Sequence, residues 1–202
     1  MPSWAVFWFY QELAHQCLLV RMAVEYLVSC RTRPSDGLDR EYYHLQSLLV
    51  AMGNISKILW PVMKRGDKDG NELRKARGRE LREALDIRHD SALRSRVLRD
   101  TFEHLDERMD KWFGATKRSW FADRGIGSME GVINPRPEDR IRLFIPKTWT
   151  VVFCGKEFQL APSIKAVCDL YDAVQKRISQ PGHEIKLFRA EIEDEIDKKI
   201  KA

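Results

Sequence analysis

Apolar residues that recur at steps of three and four through the first 114 residues most constrain the fold of this chain. The longest such stripe predicts one helix over residues 4–30. Its members are Val6, Leu13, Cys17, Val20, Val24 and Leu27. Similar patterns predict three further helices, over residues 38–59, 79–87 and 92–113. Residues 1–114 are therefore expected to form an up-and-down helical bundle.

The pattern changes after residue 114. Residues 115–140 are irregular in sequence, which predicts a linker. They contain Gly125, Gly127, Gly131, Pro135 and Pro137. Alternating apolar residues then predict the strands of a small β-hairpin, at Ile141, Leu143, Ile145, Trp149, Val151 and Phe153. A helix is expected to begin near Pro162, and a charged helix after Gly182. The fold class is mainly α, with residues 141–202 forming a hairpin-and-helix extension packed on the bundle.

Composition excludes several classes of protein. The charged fraction is 32%, and no window reaches the roughly 18 uninterrupted apolar residues that a membrane span needs. The apolar run Trp4–Tyr10 is too short for a secretory signal. The four cysteines form no C-x-x-C pair, and the histidines lack metal-ligand spacing. We expect a cytoplasmic protein with no membrane partner, no metal and no cofactor.

Positive charge is concentrated in one segment. Residues 64–99 contain twelve basic and seven acidic residues, an excess that equals the net charge of +5 of the whole chain. Clustered cations attract polyanions, because each neutralised phosphate releases counterions. The same composition is also typical of a solvated loop followed by a helix with alternating charges. The candidate substrate-binding residues are Arg79, Arg82, Arg88, Arg94 and Arg96.

One short motif combines residue types suited to RNA chemistry. Arg99 and His104 lie five positions apart within the predicted helix over residues 92–113, and Asp100 follows the arginine. At about 100° per residue the two side chains are about 140° apart and flank the apolar stripe of this helix, which predicts that both face outward. The stripe consists of Val97, Leu98, Phe102, Leu105, Met109 and Trp112. Histidine exchanges a proton near neutral pH, and arginine binds phosphate oxygens with a planar fork.

This motif resembles the signature of the HEPN superfamily, whose members are four- or five-helix domains with the signature on a late helix. The resemblance implies a HEPN-like bundle and a metal-independent endoribonuclease, in which a 2′-hydroxyl attacks the adjacent phosphate to leave a 2′,3′-cyclic phosphate. It further implies a homodimer through the helix over residues 92–113, with a composite site in which Arg99, His104 and Asp100 are catalytic. From its position four residues before His104, we expect Asp100 to orient the imidazole ring.

The chain departs from one branch of the superfamily at a single position. Many HEPN toxins carry a tyrosine two residues past the histidine, and this chain has Asp106 there, so membership of the toxin–antitoxin branch is in doubt. An antitoxin or another regulatory protein is nevertheless a candidate partner.

Two alternatives to the endoribonuclease remain open from the sequence. The first alternative is a non-catalytic HEPN module that binds nucleic acid or a protein. The second is a purely structural helical subunit in which the motif is incidental.

Overall fold

Helices make up most of the structure, which is a computed structural model that describes residues 3–29, 38–115, 121, 123–127 and 139–178. The helices are α1 (Ser3–Ser29), α2 (Leu38–Leu59), α3 (Lys68–Ala84), α4 (Val97–Glu103), α5 (Leu105–Ala115) and α6 (Ala161–Ile178). A single 3₁₀ turn covers Ala92–Arg94. The strands are β1 (Gly125–Ile126), β2 (Arg142–Ile145), β3 (Thr150–Phe153) and β4 (Lys156–Gln159). The protein is therefore mainly helical with one small sheet.

The first two helices form an antiparallel hairpin at the centre of the fold. The ring of Tyr26 stacks on that of His44 at 3.8 Å between centroids, and Asn54 donates to Gln16 at 3.3 Å, so the two helices run in opposite directions. The predicted helices over residues 4–30 and 38–59 are confirmed to within one residue at each end. α1 also packs against α6, so that its apolar stripe is covered by two partners.

The strands form a four-stranded sheet in the order β1-β2-β3-β4. β1 is parallel to β2, whereas β2, β3 and β4 are antiparallel neighbours. The hairpin predicted from Ile141 to Phe153 is confirmed as β2 and β3. A two-residue turn at Cys154 and Gly155, with φ values of 46° and 77°, then joins β3 to β4. Core residues of the sheet and of α6 pack in the same apolar cluster as those of α1 and α2.

α3 is longer than the sequence predicts, because the expected helix covered only residues 79–87. The sequence of residues 64–78 predicts a polar loop with three glycines, yet Asp67 caps the helix by accepting a 3.0 Å hydrogen bond from the Gly70 amide. Gly78 does not break the helix. It lies against the end of α2, where a Cβ would stand 2.6 Å from Pro61 Cδ and 2.8 Å from the Leu59 oxygen.

The single helix predicted over residues 92–113 is wrong, because the segment is divided in three. The Ser56 hydroxyl donates to the Arg94 carbonyl at 3.0 Å, which holds the 3₁₀ turn on α2, and Ser95 is extended. α4 then ends at His104, whose ψ of 44° separates it from α5. The Thr101 hydroxyl donates to the Val97 carbonyl at 2.6 Å, a local bond that bends helices.

Two further predictions concern residues that the structure describes only in part or not at all. The expected linker over residues 115–140 lies mostly outside the described residues, and so does the charged helix expected after Gly182. Within the described part of the chain, no helix is long and apolar enough to cross a membrane.

We expect Gly78→Ala to destabilise the fold by about 1–3 kcal/mol, because the added methyl overlaps backbone and a proline ring that cannot move independently. Gly114→Ala is the matched control, since nothing lies within 4 Å of a Cβ there. In that open position alanine is expected to stabilise the helix by up to about 1 kcal/mol. Urea unfolding of both variants measures the difference, and equal effects would contradict the close contact.

Candidate functional site

Arg99 is buried against α2 rather than exposed. Its side chain is 10% exposed and lies across Gly53, where a Cβ would overlap Arg99 Cδ. Its Nη1 donates to Asp100 Oδ1 at 3.2 Å, and its Nη2 donates to Glu103 Oε1. Its Nε is buried and has no hydrogen-bond partner among the described residues. The guanidinium is therefore held inside its own chain, which corrects the prediction of an outward-facing side chain.

The charges around this guanidinium do not favour a phosphate. One cation faces two carboxylates, which are roughly half exposed, so the local charge is negative when both are ionised. A cavity of about 350 Å³ lies beside Arg99, between α2, β4 and the start of α6, and Glu157 on its wall adds a further carboxylate. An anion entering this cavity meets one carboxylate, Glu157, and one cation, Arg99, which is already paired with two carboxylates of its own segment. Arg99 is better explained as a structural residue whose side chain packs α4 against Gly53 of α2.

His104 lies at the end of α4 and faces solvent, with 57% of its side chain exposed. Its Nδ1 is 3.5 Å from Glu107 Oε1, so the carboxylate beside the ring comes from α5. Asp100, which we expected to orient this ring, instead accepts the hydrogen bond from Arg99. The three predicted catalytic residues are thus divided between a buried ion-pair cluster and an exposed imidazole.

The division follows from the phase of the broken helix. Val97, placed by the sequence in the buried stripe, is 60% exposed, whereas Thr101 is buried. α4 is therefore rotated relative to the expected arrangement, which brings Arg99 toward α2. On the same helix, the ring of Phe102 contacts that of Phe153 of β3, with 5.3 Å between the ring centroids. The small sheet and Gly53 together determine which side of α4 faces inward.

The five predicted substrate-binding arginines have different surroundings. Arg82 is half-buried, stacks 5.4 Å above the Trp60 ring and donates to the Leu59 carbonyl, so it caps the negative end of α2. Burial lowers its pKa. Exposed Arg88 pairs with Asp90 through bonds of 3.0 and 2.8 Å. Exposed Arg94 lies 3.1 Å from a ring nitrogen of His89.

Arg79 and Arg96, the other two predicted substrate-binding arginines, differ in how exposed their side chains are. Arg79 is exposed, and Arg96 is half-buried at the start of α4, where its side chain makes no capping bond. Arg79 makes no hydrogen bond or ion pair with any described residue. It is the least constrained of the five predicted arginines.

Cations gather on one flank of α3, which we call the basic flank. It consists of Lys68, Lys75, Arg79 and Arg82. At about 100° per residue these four positions fall within roughly 60° of arc, and the four carboxylates of α3 lie on the neighbouring outer ridge. Arg94 is close enough for its charge to lower the pKa of Arg82, so the flank continues beyond the helix. Sequence reasoning missed Lys68 and Lys75, because it placed them in a loop.

The opposite flank of α3 is occupied by local contacts. Arg74 pairs with Asp67 at 2.8 Å, and Arg77 lies 4.7 Å above the Phe9 ring of α1. Bonding to Arg74 and to the Gly70 amide holds the pKa of the Asp67 carboxyl below its usual range. These contacts fix how α3 is oriented, and they leave Lys68, Lys75 and Arg79 of the basic flank exposed.

Comparison of the chain with protein-family models, with curated proteins and with solved structures finds no match. The resemblance to the HEPN superfamily therefore remains a prediction that depends on Arg99 and His104. Among the described residues, no group of three or more histidine, cysteine, aspartate or glutamate side chains is arranged to hold a metal ion. Geometry and charge are the remaining guides to function.

We expect Gly53→Ala and Arg99→Ala each to destabilise the protein by about 1–3 kcal/mol, the first through overlap and the second through lost charged hydrogen bonds. The double variant is expected to lose less than the sum, because the new methyl occupies the space that the arginine vacates. Chemical unfolding of all four proteins gives the coupling. Strictly additive losses would show that the two residues do not pack together.

Proposed function

We propose that this protein binds RNA through the basic flank of α3, without cleaving it. The observation that carries the proposal is the arc of four cations on α3, which borders the ridge of carboxylates and is joined to it by the 2.7 Å ion pair between Lys75 and Glu72. This is the non-catalytic alternative that the sequence left open. It assigns phosphate contacts to Arg79 and Arg94 and makes Arg82 mainly structural.

The basic flank suits a phosphate backbone for two reasons. Its members follow the helix axis at steps of seven, four and three residues, so they present a row of charges rather than a point. Neutralising several phosphates in a row releases several counterions, which is the main source of affinity for nucleic acid. Lys64 and Arg65, exposed in the loop before α3, extend the row at the end where Lys68 lies.

Binding without cleavage agrees better with the surroundings of Arg99. Stabilising the pentavalent phosphorane requires a cation that can reach phosphate oxygens. Arg99 is engaged by Glu103 and Asp100, and releasing it would leave both carboxylates unpaired. A substrate would have to displace these bonds and enter a cavity whose wall also carries the Glu157 carboxylate. The energetic cost of that exchange argues against a catalytic role for Arg99.

Charge reversal tests the proposed surface. We expect Arg79→Glu and Arg94→Glu each to weaken binding of a fluorescent single-stranded RNA severalfold, and to reduce the slope of log K against log salt by about 0.7 per lost phosphate contact. Lys147→Glu is the control, because it makes the same charge change on the exposed turn between β2 and β3. Fluorescence anisotropy at several salt concentrations measures both quantities. Equal losses in all three variants would contradict a localised surface.

An endoribonuclease is the second candidate, and the exposure of His104 favours it. An imidazole that is open to solvent and lies beside the Glu107 carboxylate is able to exchange a proton with a bound 2′-hydroxyl. The cation in this scheme is Arg99, freed from its carboxylates by the substrate or by a dimer partner. The scheme thus needs a rearrangement that RNA binding alone does not need.

Incubation of end-labelled RNA with the protein in EDTA distinguishes the two candidates. We expect no product from the wild type, and unchanged RNA binding in His104→Ala. A product with a 2′,3′-cyclic phosphate end that disappears in both His104→Ala and Arg99→Ala would instead establish the endoribonuclease. Absence of both cleavage and salt-sensitive RNA binding would favour the purely structural subunit.

A further inference from the structure

The outer face of the α1/α2 hairpin carries an apolar groove that no described element covers. The groove has a volume of about 540 Å³ and runs between the two helices. Met22 on α1 and Tyr43 on α2 are 61% and 66% exposed along its edges, and Val50 is also exposed. Exposed apolar side chains gathered in one place usually mark a surface that binds another macromolecule.

The exposed side chains follow a heptad spacing on both helices. Trp8, His15 and Met22 are exposed on α1 at intervals of seven, and Tyr43 and Val50 repeat that interval on α2. Residues seven apart lie on nearly the same side of a helix, which is the arrangement of a seam between packed helices. Each helix of the hairpin therefore presents a stripe suited to a further helix.

The groove contains both protruding and recessed features. Met22 and Tyr43 project from its edges, whereas Ala23, Ala51 and Ser47 provide small side chains along it. An interface between identical copies needs such a pairing on one patch, because each copy supplies the projection that fills the other copy's recess. Knobs from one hairpin are thereby matched to holes in a second hairpin.

The charge of the groove also favours an identical partner. None of its eleven lining residues is aspartate, glutamate, lysine or arginine, although such residues make up 32% of the chain. Across a two-fold axis the patch of one copy faces the same patch of the other, so a patch of one charge would repel itself and an uncharged patch does not. Glu12 lies one turn earlier on α1, outside this lining, and accepts a 2.7 Å hydrogen bond from Gln16.

We propose that two copies of this chain associate through the α1/α2 groove, so that two hairpins form a four-helix bundle. The stripe from Trp8 to Met22 is about 21 Å long, and two helix diameters give a similar width. A face of this length and width covers about 450 Å², which is about half of the roughly 800 Å² per partner of standard interfaces and lies in the range of weak, transient association. This dimer differs from the one that the sequence predicts through residues 92–113, and it does not depend on RNA binding.

Analytical ultracentrifugation of the full chain with Met22→Glu and Val50→Lys tests this dimer. We expect the wild type to be dimeric at tens of micromolar, and each variant to dissociate at least about tenfold more readily, because each places charge in the groove. Circular dichroism and thermal unfolding check that the variants remain folded. Both changes are at exposed positions, so the fold should be retained.

Val97→Glu is the control, because it places the same charge on an exposed apolar residue of α4. We expect this variant to remain dimeric. Dissociation by Val97→Glu but not by Met22→Glu would overturn the proposal and favour an interface through residues 92–113. A wild type that stays monomeric at high concentration would overturn it directly, and would leave the groove to a different protein.

Discussion

Two glycines, Gly53 of α2 and Gly78 of α3, allow α4 and α3 to approach α2 closely. The positions of the charged residues on α3 and α4 depend on these two contacts. At Gly53 the approaching group is Arg99, whose guanidinium is then paired with carboxylates of its own segment. At Gly78 the backbone of α3 meets the end of α2, and Arg82 caps the carbonyl there. α2 thus organises the charged surface while contributing little charge to it.

Much of the fold was predictable from the pattern of apolar residues. α1 and α2 carry long stripes, so their bounds follow from periodicity, and the β-hairpin follows from alternation around a glycine turn. α3 was only partly predictable, because its low hydropathy and its glycines imitate a loop, whereas helix-forming arginine, glutamate and leucine hold it together. β1 was not predictable, because a two-residue strand has no pattern of its own.

The candidate site was harder to predict than the fold. Which side of α4 faces the core depends on a break near Ser95 and on the ring contact between Phe102 and Phe153, a partner 51 residues further along the chain. A helical wheel drawn through residues 92–113 contains neither piece of information, so it placed Arg99 on the outside. A signal was present in Gly53, since a glycine in an otherwise apolar helix often admits a bulky neighbour.

The packing of α1 against α6 joins the two ends of the described chain. During synthesis α1 is made well before α6, so the apolar side that α6 later covers stays open to water until the residues of α6 have left the ribosome. Folds dominated by such distant pairings form slowly and expose sticky surface to other nascent chains meanwhile. Overproduction in a fast-translating host should therefore raise the aggregated fraction of this protein, and cooling or chaperone supply should lower it.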